Sequence, residues 1–345
     1  MSPKFKSPPT KDAVRCLWCT EILRALKDAV GARFFYLGLP GPEAKDVAEW
    51  HKEKLLGRVC AFQMLDLDSE DQLGSLTELE AFLSTTLGPA GIPYDTYLGL
   101  LEDVLTCGRD ANGKPFVQDD LITLYQLDFC HAFTDRSWNT VTVNLRYQAI
   151  RELMVRQFNQ NVEKKGKPFV VFLTVRDEID TAALAAFIKE KGEGRDDVLA
   201  RMVKDVPIDL QRRKQSKHPG LKAFVFDMLN TCFRGLNIRG LFLPPVYYTG
   251  VDRVRDPMVV FTVLAAFDSL QAPNPVGGQT LQEFLKMEGL RLEGKALTRA
   301  NRCAIETTRV WTAQGAVKTY LPRFLDDPVW LRIKDEAKAG RIEAV

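Results

Sequence analysis

The run Phe169-Val-Val-Phe-Leu-Thr-Val175 is apolar on both of its alternating faces. Successive side chains of a strand point to opposite sides, so a run of this kind needs cover above and below. Such a strand belongs inside a sheet with helices on both faces, and this confines the chain to an α/β layout.

The flanking sequence alternates accordingly. A helix is predicted over about Asp12 to Val30, with Val14, Leu17, Ile22, Leu23, Leu26 and Val30 mostly on one face and Gly31 as its stop. Arg33-Phe-Phe-Tyr-Leu-Gly38 then reads as a strand, Leu39-Pro-Gly-Pro42 as a turn, and Glu43 to Leu56 as a helix. Arg58 to Met64 is a second strand, ending in Asp66, Asp68, Glu70 and Asp71, and a polar helix runs on to about Leu87. Tyr94 to Leu105 contains a third strand, with Glu102 and Asp103 inside it. Leu121 to Leu127 is a fourth, ending at Asp128-Phe-Cys-His131, and a helix from about Thr140 to Asn161 leads to the fifth at Phe169.

Leu243 to Thr249 and Met258 to Phe267 are separated only by Gly250 to Pro257. That gap is too short for a crossover helix, so the two runs should pair antiparallel. The expectation is a doubly wound, mostly parallel seven-stranded sheet ending in an antiparallel hairpin. Residues 1–31 form an N-terminal arm and helix, residues 32–270 the α/β domain, with a charged helical insertion at 176–218. Ala272-Pro-Asn-Pro-Val-Gly-Gly278 reads as a linker to a helical C-terminal extension, 271–345.

Charge and cysteine usage narrow the setting. A net charge of +2 gives no broad electrostatic reason to expect a nucleic acid or an acidic membrane. The longest mainly apolar stretch, Met258 to Phe267, is about half of what a bilayer crossing needs. No export-type leader is read at the start, and the seven cysteines are expected to be reduced thiols in a cytoplasmic protein. Cys16 and Cys19 have CxxC spacing, but no second CxxC or HxxxH completes a zinc site, so no metal is expected.

Strand–helix alternation closed by an antiparallel hairpin resembles the class I S-adenosylmethionine-dependent methyltransferases, over roughly Ala32 to Ser269. The resemblance implies S-adenosylmethionine as cofactor and methyl transfer to an acceptor that no residue identifies. It implies that the first loop, at Gly38 and Gly41, lets the backbone approach the cofactor, with Glu43 following the turn. It places Asp66 against the two ribose hydroxyls and Asp103 near the adenine amino group. At the fourth strand it implies that Asp128 orients a substrate, that His131 takes its proton, and that Cys130 is a candidate nucleophile.

The pattern also departs from the family. Tyr36 and Leu37 stand where an acid usually precedes the glycine loop, and no proline pair follows Asp128, which argues against methylation of a base nitrogen. The alternative is a catalytically degenerate scaffold or binding subunit of a larger complex, with partners on the insertion or the C-terminal extension. A nicotinamide enzyme is less favoured, because the first loop lacks G-x-G-x-x-G. Arg212, Arg213, Lys214 and Lys217 form a compact basic patch that could touch nucleic-acid phosphates, and Tyr247 and Tyr248 could stack on a base.

Overall fold

A computed structural model describes residues 11–12, 14–30, 33–41, 43–63, 72–132, 145–164, 169–177, 219–236, 238–248, 258–267, 284 and 290–292. The N-terminal helix forms as expected but begins irregularly. A π-helical turn, Val14–Cys19, precedes helix α1, Thr20–Val30. Thr20 Oγ1 donates to the Arg15 carbonyl at 2.8 Å, which satisfies a backbone acceptor at the wide turn.

The core elements then alternate. They are β1 Phe34–Gly38, α2 Lys45–Lys52, β2 Leu56–Gln63, α3 Gln72–Leu87, β3 Tyr94–Leu98, α4 Leu101–Cys107, β4 Leu124–Ala132, α5 Leu145–Lys164, β5 Phe169–Arg176 and α6 Pro219–Arg234. Then β6 Ile238–Phe242, β7 Val246–Tyr248, β8 Met258–Phe267 and β9 Leu290–Leu292 close the sheet. The strand order is β3-β2-β1-β4-β5-β8-β7-β9, with β6 also on β8. β1 to β5 are mutually parallel, and β8 enters antiparallel beside β5, pairing Phe169 with Ala265 through Arg176 with Met258.

β6 and β7 are one strand in two pieces. β6 pairs with β8 from Phe267 back to Val263, and β7 takes over from Val260 to Met258. Between them lie Leu243, Pro244 and Pro245, of which only Leu243 has an N–H to give, and it donates to the Thr262 carbonyl at 2.9 Å. Proline has no N–H for the ladder, so the strand slips at that point and resumes. Counted this way, the expected doubly wound sheet with its antiparallel hairpin is present. β9 adds a parallel partner to β7, and Phe284 packs on Phe226, Phe242 and Phe261. Both sit in the stretch read from sequence as a helical extension, so at these positions that stretch joins the sheet and its core. Of the insertion read at 176–218, Arg176 is the last residue of β5, and residues 178–218, with Arg212, Arg213, Lys214 and Lys217, lie outside the described residues.

Each face of the sheet carries its own core. Beneath the N-terminal helix, α2 and α3 lie Trp18, Tyr36, Trp50, Phe172 and Val260. Under α4, α5 and α6 lie Phe62, Tyr125, Phe169, Phe224, Phe233 and Phe261. β5 feeds both, Val170 and Phe172 on one side and Phe169, Val171 and Leu173 on the other, as its double-faced apolar pattern requires. Tyr247 and Tyr248 are likewise buried, one in each core. No described helix is long and apolar enough to cross a membrane.

Two polar devices hold the parallel part in register. Gln157 of α5, with no exposed surface, accepts from Ile122 N at 3.0 Å, Tyr125 Oη at 3.1 Å and Gln118 Nε2 at 3.2 Å. Its own Nε2 donates to the Ile122 carbonyl at 2.7 Å. At the outer edge, the Asp110 carboxylate accepts Leu98 N at 3.1 Å, and Lys114 Nζ donates to the Thr96 carbonyl at 3.0 Å. These bonds blunt the open side of β3.

Two predictions follow from burial. Gln157→Leu leaves the Ile122 backbone groups and the Tyr125 hydroxyl without their partner, and should cost about 2–4 kcal/mol in urea unfolding; a loss below 1 kcal/mol would mean that water replaces the amide. Lys222 of α6 is buried with Nζ 4.7 Å from the Phe284 ring centre, and desolvation lowers its pKa to about 7. Above pH 7 the folded chain releases a proton that the unfolded chain keeps to about 10.4, so stability rises with pH. Burial pushes the Cys19 and Cys60 thiols up, which opposes this trend once unfolded thiols ionise near about 8.5. Between those limits the rise should approach about 1.4 kcal/mol per pH unit, and Lys222→Met should flatten it. Equal slopes in the two proteins would remove Lys222 as the cause.

Candidate functional site

The order of the sheet reverses at β1, which has β2 on one side and β4 on the other. In open parallel sheets a crevice forms outside the carboxyl ends at such a reversal, because the connections leave in opposite directions. Here the loop after Gly38 and the last residues of β4 flank that position. Leu39 N donates to the Gln126 carbonyl at 3.1 Å and ties the two together.

The loop combines a packed glycine and an open one. A β-carbon at Gly38 would stand 2.5 Å from the Tyr36 hydroxyl and 2.6 Å from the Gln126 carbonyl oxygen. Glycine at 38 therefore makes room for the Tyr36 phenol, whose Oη donates to Asp46 Oδ2 at 2.8 Å. Tyr36 is fully buried, and burial first, then Asp46, raises its pKa well above the ordinary tyrosine value. Gly41 is different. It turns with φ +68°, a left-handed conformation that favours glycine, and a β-carbon there would meet nothing within 4 Å among the described residues. The loop closes through Ala44 N to the Gly41 carbonyl at 3.1 Å, with buried Ala44 itself at φ 38°. Glu43 is exposed beyond the turn and pairs with Lys45 at 2.9 Å.

The other flank is β4, which continues past Leu127 to Ala132. Asp128 and His131 thus stand within the last part of the strand, where the sequence placed them just beyond it; the Asp128–Thr174 register is followed by an irregularity before Ala132. Phe129 belongs to the α5–α6 side, and Gln126 and Asp128 alternate to the N-terminal-helix side. The side chains of Cys130 and His131 lie outside the described residues.

Asp128 is only 7% exposed. Its Oδ2 forms an ion pair with Lys11 Nζ, whereas its Oδ1 is buried without a hydrogen-bond donor among the described residues. Gln126 Oε1 is also buried without one. Arg15, four residues along from Lys11, bonds Asp12 Oδ1 at 2.6 Å. Burial works against its charge, but Asp46, Asp12 and Asp128 outweigh burial and raise its pKa. The N-terminal segment therefore lays two cations over the carboxylates of α2 and β4. Trp18 Nε1 to Thr262 Oγ1 at 2.9 Å and Trp50 Nε1 to Thr20 Oγ1 at 3.1 Å pin that segment to the sheet and to α2.

The remaining sequence candidates fall elsewhere. Asp103 was expected inside a strand; β3 ends at Leu98, and Asp103 stands on the exposed side of α4. Its neighbour Glu102 is the buried acid, 3.4 Å from Arg146 Nε, and the Arg146 guanidinium lies 5.2 Å from the Phe129 ring centre. Asp66 lies outside the described residues. Lys11, Arg15, Asp46 and Gln126 escaped the sequence reading. The available signal was the i,i+4 spacing of Lys11 and Arg15 on a helix start, which is equally ordinary on a solvated face.

No protein-family model matches the chain, and no curated protein matches it. Solved structures do match. One is a protein from Listeria monocytogenes provisionally assigned to the class I S-adenosylmethionine-dependent methyltransferases, 11% identical, with 90% of this chain and 74% of that chain covered at a TM-score of 0.36.

The glycine loop yields a graded prediction. Gly38→Ala, which drives a β-carbon against the Tyr36 hydroxyl and a fixed carbonyl, should cost about 2–3 kcal/mol. Gly41→Ala, strained only in its backbone, should cost about 1 kcal/mol. Chemical denaturation of both variants checks the order, and a reversed order would mean that the Tyr36 phenol does not fill the space at Gly38.

Proposed function

We propose that the protein is an S-adenosylmethionine-dependent methyltransferase whose cofactor lies across the carboxyl ends of β1, β2 and β4. The single observation that carries this reading is the strand order, with reversal at β1 and one antiparallel strand beside β5, opening its crevice where Asp128 is buried.

The residues present fit the cofactor in part. Open space above the left-handed Gly41 suits a close backbone approach, and the carboxylates of the crevice suit a sulfonium cation. Gly38 contributes through Tyr36 rather than through open space, and Asp66 would supply the ribose contacts at the end of β2. When bound, the cofactor supplies an electrophilic methyl group. The chain's own part is alignment: Asp128 holds the methyl acceptor at the end of β4, and Gln126, two residues back on the same face, offers a further oxygen. His131 is the proposed acceptor of a proton, from the same strand end. Asp103, exposed on α4, would reach adenine only from the rim, so Glu102 is the better-buried acid for that side.

A second reading has its own support. Lys11 and Arg15 already neutralise part of the crevice, as expected of a degenerate scaffold whose polar end is sealed for good. Calorimetry with S-adenosylmethionine on the full chain separates the two. Saturable binding, weakened at least tenfold in Asp66→Ala, is expected for the enzyme. Absence of heat at millimolar cofactor leaves the scaffold.

A further inference from the structure

We propose that Asp128 and Gln126 form a binding site for a primary ammonium group, and that Lys11 of the same chain occupies it as an internal ligand. The inference concerns what the end of β4 binds and stands whether or not methyl transfer takes place.

Buried carboxylates are kept where a cation or several donors compensate the lost water. Asp128 has such a cation in Lys11, but only one of its two oxygens is engaged. More than nine in ten buried polar groups find a partner, yet Asp128 Oδ1 and Gln126 Oε1, on side chains two residues apart on one strand face, both lack a donor among the described residues. Both stand on one face of β4, two residues apart, where Asp128 pairs with Thr174 and Gln126 with Phe172 and Gly38. An ammonium carries three N–H donors and can address a carboxylate and an amide oxygen together. The site therefore offers more acceptor capacity than its resident cation uses.

The resident cation also identifies the ligand class. Lys11 reaches Asp128 from the edge of the protein, with its side chain 19% exposed, on a long and flexible stem. The helix behind that stem is anchored separately, through Trp18 and Thr262. What replaces Lys11 must present the same features: a compact N–H-bearing cation on an apolar stem. A guanidinium is a poorer match, since its planar fork prefers both oxygens of one carboxylate. A metal ion is a poorer match too, because among the described residues no three His, Cys, Asp or Glu side chains converge to hold one. The charge of Arg15, close enough for Asp128 to act on it, repels a dication about twice as strongly as a single positive charge.

The test uses the full chain without cofactor, n-butylammonium as ligand, and tetramethylammonium and n-butanol as controls. In Lys11→Met, which keeps the stem and removes the charge, butylammonium should bind saturably in calorimetry and at least tenfold more tightly than to the natural chain. Adding Asp128→Asn should abolish that binding, and tetramethylammonium, which has no N–H, should not bind to either. If Lys11→Met does not fold, the natural chain decides: butylammonium should raise its melting temperature more than tetramethylammonium at equal ionic strength. Equal responses to the two cations, or equal binding of butanol, would overturn the proposal. Loss of cofactor binding would leave it untouched, so the two readings fail separately.

Discussion

The pairing of β5 with β8 is the contact on which the rest of the sheet depends. Eight residues of β5, Phe169 to Arg176, meet Met258 to Ala265 in one unbroken antiparallel register. Both strands are buried on both faces, so neither could be left at an edge without exposing apolar surface and an unpaired ladder. Everything to one side of that pair is parallel, and everything to the other side hangs on β8. The interrupted β6–β7 strand is tolerable for this reason: β8 continues past the two prolines and supplies partners on either side of the slip.

One polar residue in β8 links this core to the crevice. Thr262 is fully buried among apolar neighbours, yet it accepts the Trp18 indole N–H. That bond sets how the N-terminal segment lies across the sheet, and so where Lys11 and Arg15 come down. The π-helical turn shifts the helix start by its wider spacing, and Thr20 serves both the turn, through the Arg15 carbonyl, and Trp50. The charges over Asp46 and Asp128 are thus placed by a chain of buried hydrogen bonds. Loose surface attraction alone would be worth little, since exposed ion pairs contribute no more than about 1 kcal/mol.

Legibility followed the strength of the local pattern. β1, β2 and β5 were readable because apolar β-rich runs bounded by glycine or charge allow few other conformations. The third strand is shorter than its apolar run, which continues through Leu101, Val104 and Leu105, because Gly99, at φ +134°, ends the strand and the apolar side chains then serve a helix. The fourth runs on through Asp128 to Ala132, where the buried carboxylate meets Lys11. Gln157 was invisible, as a single amide in a helix has no periodic signature and acquires its role only where β4 begins beside it. Gly38 was legible as a position that needs glycine, but its nearest neighbour, the Tyr36 phenol of the same strand, was not.

By itself the sequence determined the alternation of strands and helices, the two-faced burial of β5 and the antiparallel closing pair, because these rest on side-chain period and connection length, which are local properties of a chain. The tertiary structure alone decided which acids face a crevice and which face water. Asp103 and Glu102 are adjacent, yet a helix turns one outward and the other toward Arg146. Asp128 and Lys11 lie far apart along the chain and meet only because Trp18 finds Thr262. Electrostatic environment depends on distance in space and on exclusion of water, and neither is written into the order of residues.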